Sequence, residues 1–431
     1  MGVRQWSAAW AALVLLLSVA LAAPVGVLPA AHAKGKTRIV VGMPGGSAAH
    51  APEIVARFEQ LHPDVEVEPL ILDWGGFFDK LLLMLVSGVA PDVWYGEAGR
   101  ALGWHYYGFT LDLKPYVDRD LDLDQYFLLD AAVDPRTGAW TGIPSDFQVT
   151  SLFYNTEHFL SGGLNFPDEG WTLADLVDAA KKLTVPLDQE ALRWGFNLQP
   201  DYITAGWMLW MKLLGGQILD PTRTGSRLLD PANVRALETM LALMYEQRVS
   251  PTPGMYAFAP WEAAVSFQEG RTSMMFNIYS WNRQLATAGM ESYDVAVTPA
   301  GVDGRRFTTA VPNVWVINAA SSKARQEAAW RWITFQIGEE AQRIRMATGA
   351  GVPVNRGVAF EFAELPFAPL NRRIYLDSYA FAGTLEENPV WAEYRQAIEA
   401  ELPPVWANET TPEAALLRAH QQVQRILESI S

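Results

Sequence analysis

The alternation of short apolar runs with helical stripes over residues 38–95 constrains this chain most. Arg38-Ile-Val-Val-Gly-Met43 is a β-branched run ended by Pro44-Gly45-Gly46. A run of that length bounded by turn formers reads as a buried strand. Apolar residues at 54, 55, 58 and 61 then follow helical spacing, and His62-Pro63-Asp64 stops them. Residues 65–72 alternate and then become continuously apolar, which suits a second strand. Residues 76–87 read as an apolar helix with Gly88 as its C-cap, and 90–95 open a third strand. This β–α–β–α–β rhythm predicts an α/β fold, with mostly parallel sheets flanked by helices. In such sheets a ligand sits beyond the carboxyl ends of the strands. Those ends are residues 44–49, 73–75 and 96–100.

Further along, residues 151–155 read as a compact strand after the loop-like passage 140–147. Thr172 is placed to cap a helix to about residue 183, with Asp175 in the capping-box position. Helical stripes recur at 233–246 and 261–270, and short strands at 273–278, 294–298 and 314–318. Residues 323–347 read as one long helix, with Trp332 on its core side and Trp330 on its surface. The acidic stretch 118–124 fails as a calcium loop. Its sixth position is Leu123 or Gln125 rather than Gly, and its twelfth is Leu129 or Ala131 rather than Glu.

Composition removes several functions. The chain of 431 residues has no Cys, so disulfides, thiolate metal sites and a cysteine nucleophile are excluded. A formal charge of −15 repels phosphate backbones, so nucleic acid is not an expected partner. The six His are scattered, and no metal site or cofactor is expected. No nucleotide-binding or nucleophile-elbow pattern occurs. Residues 1–33 read as a signal peptide: Arg4, an apolar run over 11–23, and the small-x-small site Ala31-His32-Ala33. Cleavage nearer Ala22, or retention as an anchor, stays open at this point. An exported chain is expected, in the periplasm or on the outer face of the cytoplasmic membrane, without a lipid anchor through Cys.

Most of the 17 Trp are expected to pack in cores. Trp74, Trp207, Trp261, Trp281 and Trp315 stand beside polar residues in loop-like positions. A flat indole suits the C–H face of a pyranose, while acids and amides suit its hydroxyls. Asp73, Glu97, Asp146 and Glu262 are the carboxylates that could instead form a glycosidase pair.

Several segments in order resemble one family. They are Phe58-Glu-Gln-Leu-His-Pro-Asp-Val-Glu-Val67, Ser87-Gly-Val-Ala-Pro-Asp-Val93, Gly142-Ile-Pro-Ser-Asp146 with Leu152-Phe-Tyr-Asn155, and Gly170-Trp-Thr-Leu-Ala-Asp-Leu176. They continue with Phe267-Gln-Glu-Gly-Arg-Thr-Ser-Met-Met275, the passage from Trp315 to Val354, and Pro389-Val-Trp391 with Thr411-Pro-Glu-Ala-Ala-Leu416. Together they resemble the family 1 extracellular solute-binding proteins of ABC importers, the maltose-, oligosaccharide- and glycerol-phosphate-binding type. The chain departs from the family pattern at Ser145, often Tyr, and at Val311-Pro312, often Gly-Gly.

The resemblance implies a two-lobed, periplasmic-binding-protein-like fold (type II) with a cleft between the lobes. It places lobe one at 37–145 plus 307–351 and lobe two at 146–306 plus 352–431. It implies a monomeric, non-catalytic receptor that closes on a carbohydrate and delivers it to a membrane permease. The expected ligand-binding residues are Gly45, Asp73, Trp74, Glu97, Asp146, Trp207, Trp261, Tyr279, Trp281, Asn313, Trp315 and Arg356. A receptor for a glycerol-phosphate-type solute, with Arg356 as its cation, and a secreted glycoside hydrolase are the alternatives.

Overall fold

A computed structural model describes residues 35–127, 129–187 and 190–430. The predicted signal peptide lies outside the described residues. Thr37–Ser431 forms one unit. In chain order its main elements are β1 (Thr37–Pro44), α1 (Ala51–Leu61), β2 (Val65–Leu72), α2 (Trp74–Val86), β3 (Val93–Glu97), α3 (Ala98–Tyr106) and β4 (Ile143–Asn155). Next come α4 (Leu173–Leu183), α5 (Trp207–Leu213), α6 (Pro231–Leu241), α7 (Pro260–Gln268), β5 (Met274–Ile278), α8 (Trp281–Thr287) and β6 (Tyr293–Ala296). The rest are β7 (Thr308–Ile317), α9 (Lys323–Ile337), α10 (Glu339–Ala347), β8 (Val352–Pro353), α11 (Arg356–Ala363), β9 (Ala382–Gly383), α12 (Trp391–Glu399) and α13 (Pro412–Leu427).

Among the described residues these nine strands make one sheet, ordered β8-β4-β7-β3-β1-β2, with β9 on β7 and both β5 and β6 on β4. The first three strands pair in parallel, as their helical crossovers require. Gly42 permits the close approach of β1 to β3, since a Cβ there would stand 2.9 Å from Trp94 Cβ. Pro69 costs no ladder bond in the middle of the sheet, because β2 is an edge strand.

The expectation of mostly parallel sheets is corrected. β7 meets β3 and β4 antiparallel, and β4 meets β5, β6 and β8 antiparallel. The sequence rhythm reported only its own first 60 or so residues, whereas β4 and β7 enter the sheet from distant parts of the chain. β4 is also longer than expected. Its thirteen residues are all buried, and Pro144, which reads as a loop former, sits at a register shift against β7. A bulge tolerates a residue without an N–H. The first half of β4 pairs with β7 and β8, its second half with β5 and β6.

Two large cores result. One gathers Ile39, Val41, Phe58, Trp315 and Trp332 under α1 and α9. The other gathers Trp207, Trp210, Tyr394, Trp406 and Val423 among α4, α5, α6, α12 and α13. A smaller cluster, including Phe77, Trp94 and Trp104, fills the space under α2. The predicted long helix is two helices, because Gly338 adopts extended angles (φ −72°, ψ 158°) and restarts the chain as α10. Trp330 is corrected from surface to core: it is 1% exposed, and its indole N–H donates to Asp120 Oδ2 at 2.6 Å. The capping box of α4 forms as read, with Thr172 and Asp175 bonding reciprocally.

Candidate functional site

A cavity of about 980 Å³ opens at the carboxyl ends of β1 and β3. This size falls in the usual range for small-molecule sites, roughly 300–1,000 Å³. Gly46, Ser47 and His50 reach it from the turn after β1, and Tyr95, Glu97 and Gly99 from the end of β3 and the start of α3. Gln148 and Asn313 come from the central strands, and Tyr202 and Thr204 from the loop before α5. Trp261 on α7 and Trp281, Arg283 and Gln284 on α8 form another wall. Arg345, Glu387, Trp391 and Arg395 complete it.

Trp261 and Trp281 lie with ring centroids 5.6 Å apart and planes at 49°. Trp261 is 63% exposed, an unusual state for so large an apolar ring. The wall also carries polar side chains. Glu97 pairs with Arg100 at 3.2 Å, and Arg395 with Glu399 at 2.8 Å. Burial raises the Glu387 carboxyl above the usual range.

The cavity floor is a closed polar network around Asp146. Tyr95 donates to Asp146 Oδ2 at 2.6 Å, and Asn313 Nδ2 to Oδ1 at 2.8 Å. Arg345 forms a buried ion pair with the same carboxylate. Burial and then the Asp146 charge hold the Tyr95 hydroxyl well above its usual range. His50 stands at the edge of this network, its Nδ1 3.2 Å from Thr348 Oγ1. Burial first, then Arg345 and Arg283, lower its pKa to about 3.

Of the expected site residues, Glu97, Trp261, Trp281 and Asn313 line the cavity together. Asp146 lies just behind the floor and is 2% exposed, its oxygens occupied by protein partners rather than free for a ligand. Trp207 and Trp315 are packed into the two cores, 0% and 1% exposed, because each indole fills space against other aromatic and aliphatic side chains. That burial takes both out of reach of a cavity ligand. Trp315 supports the floor from behind, 5.3 Å from the Tyr95 ring. Tyr279 is buried against Phe362 and Tyr375, each ring 5.2 Å away. Gly45 abuts Asp73, and neither lines the wall. Trp74 begins α2, and its side chain is outside the described residues. Arg356 is turned elsewhere: its Nε donates to the Tyr126 carbonyl at 3.1 Å, and its guanidinium covers the Phe127 ring.

Sequence reasoning missed His50, Gln148, Tyr202, Arg283, Arg345, Glu387 and Trp391. His50 directly follows the strand-end segment 44–49 and was within reach of that argument. Trp391 falls among the Trp expected to pack in cores. It is indeed 3% exposed, yet it also borders the cavity, because Gly99 lets α3 come down on it. The others arrive from separate parts of the chain, and no local pattern marks them.

A family model described as bacterial extracellular solute-binding protein matches residues 45–343. An uncharacterized lipoprotein of Streptomyces antibioticus is 26% identical over 186 residues, 40% of this chain and 39% of that protein. The chain therefore matches well under two thirds of that relative's length. Among solved structures, the ABC substrate-binding protein Lmo0181 from Listeria monocytogenes, in complex with cycloalternan, superposes with a TM-score of 0.80 at 23% identity. That likeness covers 92% of this chain and 99% of that one. Maltose-bound MalE3 of T. maritima gives a TM-score of 0.75 at 21% identity, over 90% and 99%. The likeness shows the fold: two lobes, mixed α/β, with a sheet flanked by helices.

Proposed function

The chain belongs to the bacterial extracellular solute-binding protein family, and from that premise we propose that it captures a sugar or oligosaccharide and hands it to an ABC-type permease. The observation that carries this reading is the exposed Trp261 set against Trp281 in a cavity whose wall mixes apolar and polar side chains. Indole faces stack on the apolar face of a pyranose, and the surrounding Glu97, Asn313, Gln148 and Thr204 can bond its hydroxyls. The sugars in the two similar complexes support the same class of solute.

In this reading the lobes are 37–145 plus 307–351 and 146–306 plus 352–431. β4 and β7 are the strands about which they close, since β4 crosses the boundary of the two parts and β7, its partner, begins just past it. Contacts from both lobes in the closed form shift the population toward it. The protein carries out no chemistry. Asp146, one of the four carboxylates that could form a glycosidase pair, is occupied by Tyr95, Asn313 and Arg345. Arg356 does not serve a charged solute from its place against Phe127.

The test is a thermal-melt screen of the exported chain against mono- and oligosaccharides and glycerol phosphates. A ligand at a hundredfold excess over Kd adds about 2.7 kcal/mol to native stability. A shift with a neutral glycan that chromatography then recovers intact is the expected result. A shift confined to phosphorylated solutes, or one accompanied by product, would replace the reading.

A further inference from the structure

We infer that His50 is a ligand contact whose Nε2 presents a neutral hydrogen-bond acceptor to a hydroxyl of the solute. The inference deepens the receptor reading and rests on it. Its basis is a count of protons. Thr348 Oγ1 donates its one hydroxyl proton to the Arg345 carbonyl at 2.8 Å. The same oxygen lies 3.2 Å from His50 Nδ1. Having spent its proton, it can only accept, so Nδ1 carries the hydrogen and donates. In a neutral imidazole the other nitrogen then keeps its lone pair.

That nitrogen is not sealed in the protein. His50 is part of the cavity wall, and Nε2 has no protein partner among the described residues, nor is it among the enclosed unpartnered atoms. The ring as a whole is 3% exposed, so its position is set by packing rather than by solvent. Burial first, then the positive charges of Arg345 and Arg283, keep the ring neutral through the physiological range.

The chemistry of the wall then selects the solute group. Guanidiniums are donors only, and Nε2 is an acceptor only. A hydroxyl can donate to Nε2 and accept from a neighbouring donor at once. A carboxylate or a fully ionised phosphate has no proton to donate to Nε2. This corner of the cavity therefore takes a sugar or polyol hydroxyl in preference to an anion.

The test begins with maltose, maltotriose and cycloalternan as probes, taking forward whichever binds. His50→Gln keeps an acceptor near the Nε2 position, whereas His50→Asn keeps only the donor toward Thr348. The Gln variant should hold affinity within about threefold and the Asn variant should lose about tenfold, the scale of one hydrogen bond. In the wild-type protein, imidazole nitrogen NMR should show Nδ1 protonated and the Nε2 resonance moving on sugar binding. Equal losses in both variants, Nε2 protonated instead, or an unmoved Nε2 resonance would overturn the role of His50 while leaving the receptor intact. Failure of every sugar to bind would overturn the receptor reading, and this inference with it.

Discussion

Tyr95 donates its hydroxyl proton to Asp146 at 2.6 Å, tying the end of β3 to the first half of β4 behind the cavity floor. Asp146 also receives Asn313 from β7 and Arg345 from α10. One carboxylate thus joins four elements, and the side chains of the cavity floor inherit their positions from it. Asp146→Ala would leave the Arg345 guanidinium buried and unpaired. We expect a loss of about 3–5 kcal/mol in urea unfolding. A loss below about 1 kcal/mol would show that the network does not hold the floor.

The two kinds of Trp should separate cleanly. Trp261 is 63% exposed and Trp207 fully buried. Trp261→Ala is expected to change stability by no more than about 0.5 kcal/mol while weakening sugar binding about tenfold or more. Trp207→Ala should cost about 3–5 kcal/mol of stability. Paired melting and binding titrations check both, and a stable Trp261 variant with unchanged affinity would remove the stacking platform from the account.

Gly99 is required by packing rather than by backbone angles. A Cβ there would stand 2.6 Å from Trp391 Cδ1 and 2.7 Å from Glu387 Cγ. Both neighbours line the cavity. Gly99→Ala should destabilise by about 1–3 kcal/mol through overpacking and should disturb ligand affinity too. A variant with wild-type melting temperature would show that α3 can move off Trp391 freely.

His50 also makes stability depend on pH. Its pKa falls from 6.5 unfolded to about 3 folded, through burial and then Arg345 and Arg283. Between those values the unfolded chain takes up a proton that the folded chain refuses. Stability therefore falls as pH falls from 6.5 toward 3, by up to about 1.4 kcal/mol per pH unit. At pH 5 the contribution is about 2 kcal/mol. Urea melts at pH 7 and pH 5 should show a smaller drop in His50→Gln than in wild type. Equal drops would mean that His50 is not held neutral by its surroundings.

The parts of this structure legible in the sequence are the local ones. β1, α1 and β2 follow from apolar spacing and turn residues, and the Thr172–Asp175 box from a three-residue spacing. What escaped was decided at long range. The antiparallel partners of β4 and β7 and the burial of Trp330 depend on segments far apart in the chain. Trp261 and Trp281, singled out by residue chemistry together with the family resemblance, line the cavity. Asp146 reads as a hydroxyl acceptor in sequence, and its carboxylate meets Arg345, 199 positions away, which no local pattern marks. His50 needed the position of Thr348, 298 residues away, before its role could be read.

The central claim is that the cavity binds a neutral sugar without transforming it. Isothermal titration of the protein with maltotriose and cycloalternan, followed by chromatography of the recovered sugar, tests it most directly. The account predicts saturable binding of one intact sugar per chain, weakened about tenfold or more in Trp261→Ala. No heat with any neutral glycan, or recovery of cleaved sugar, would contradict it.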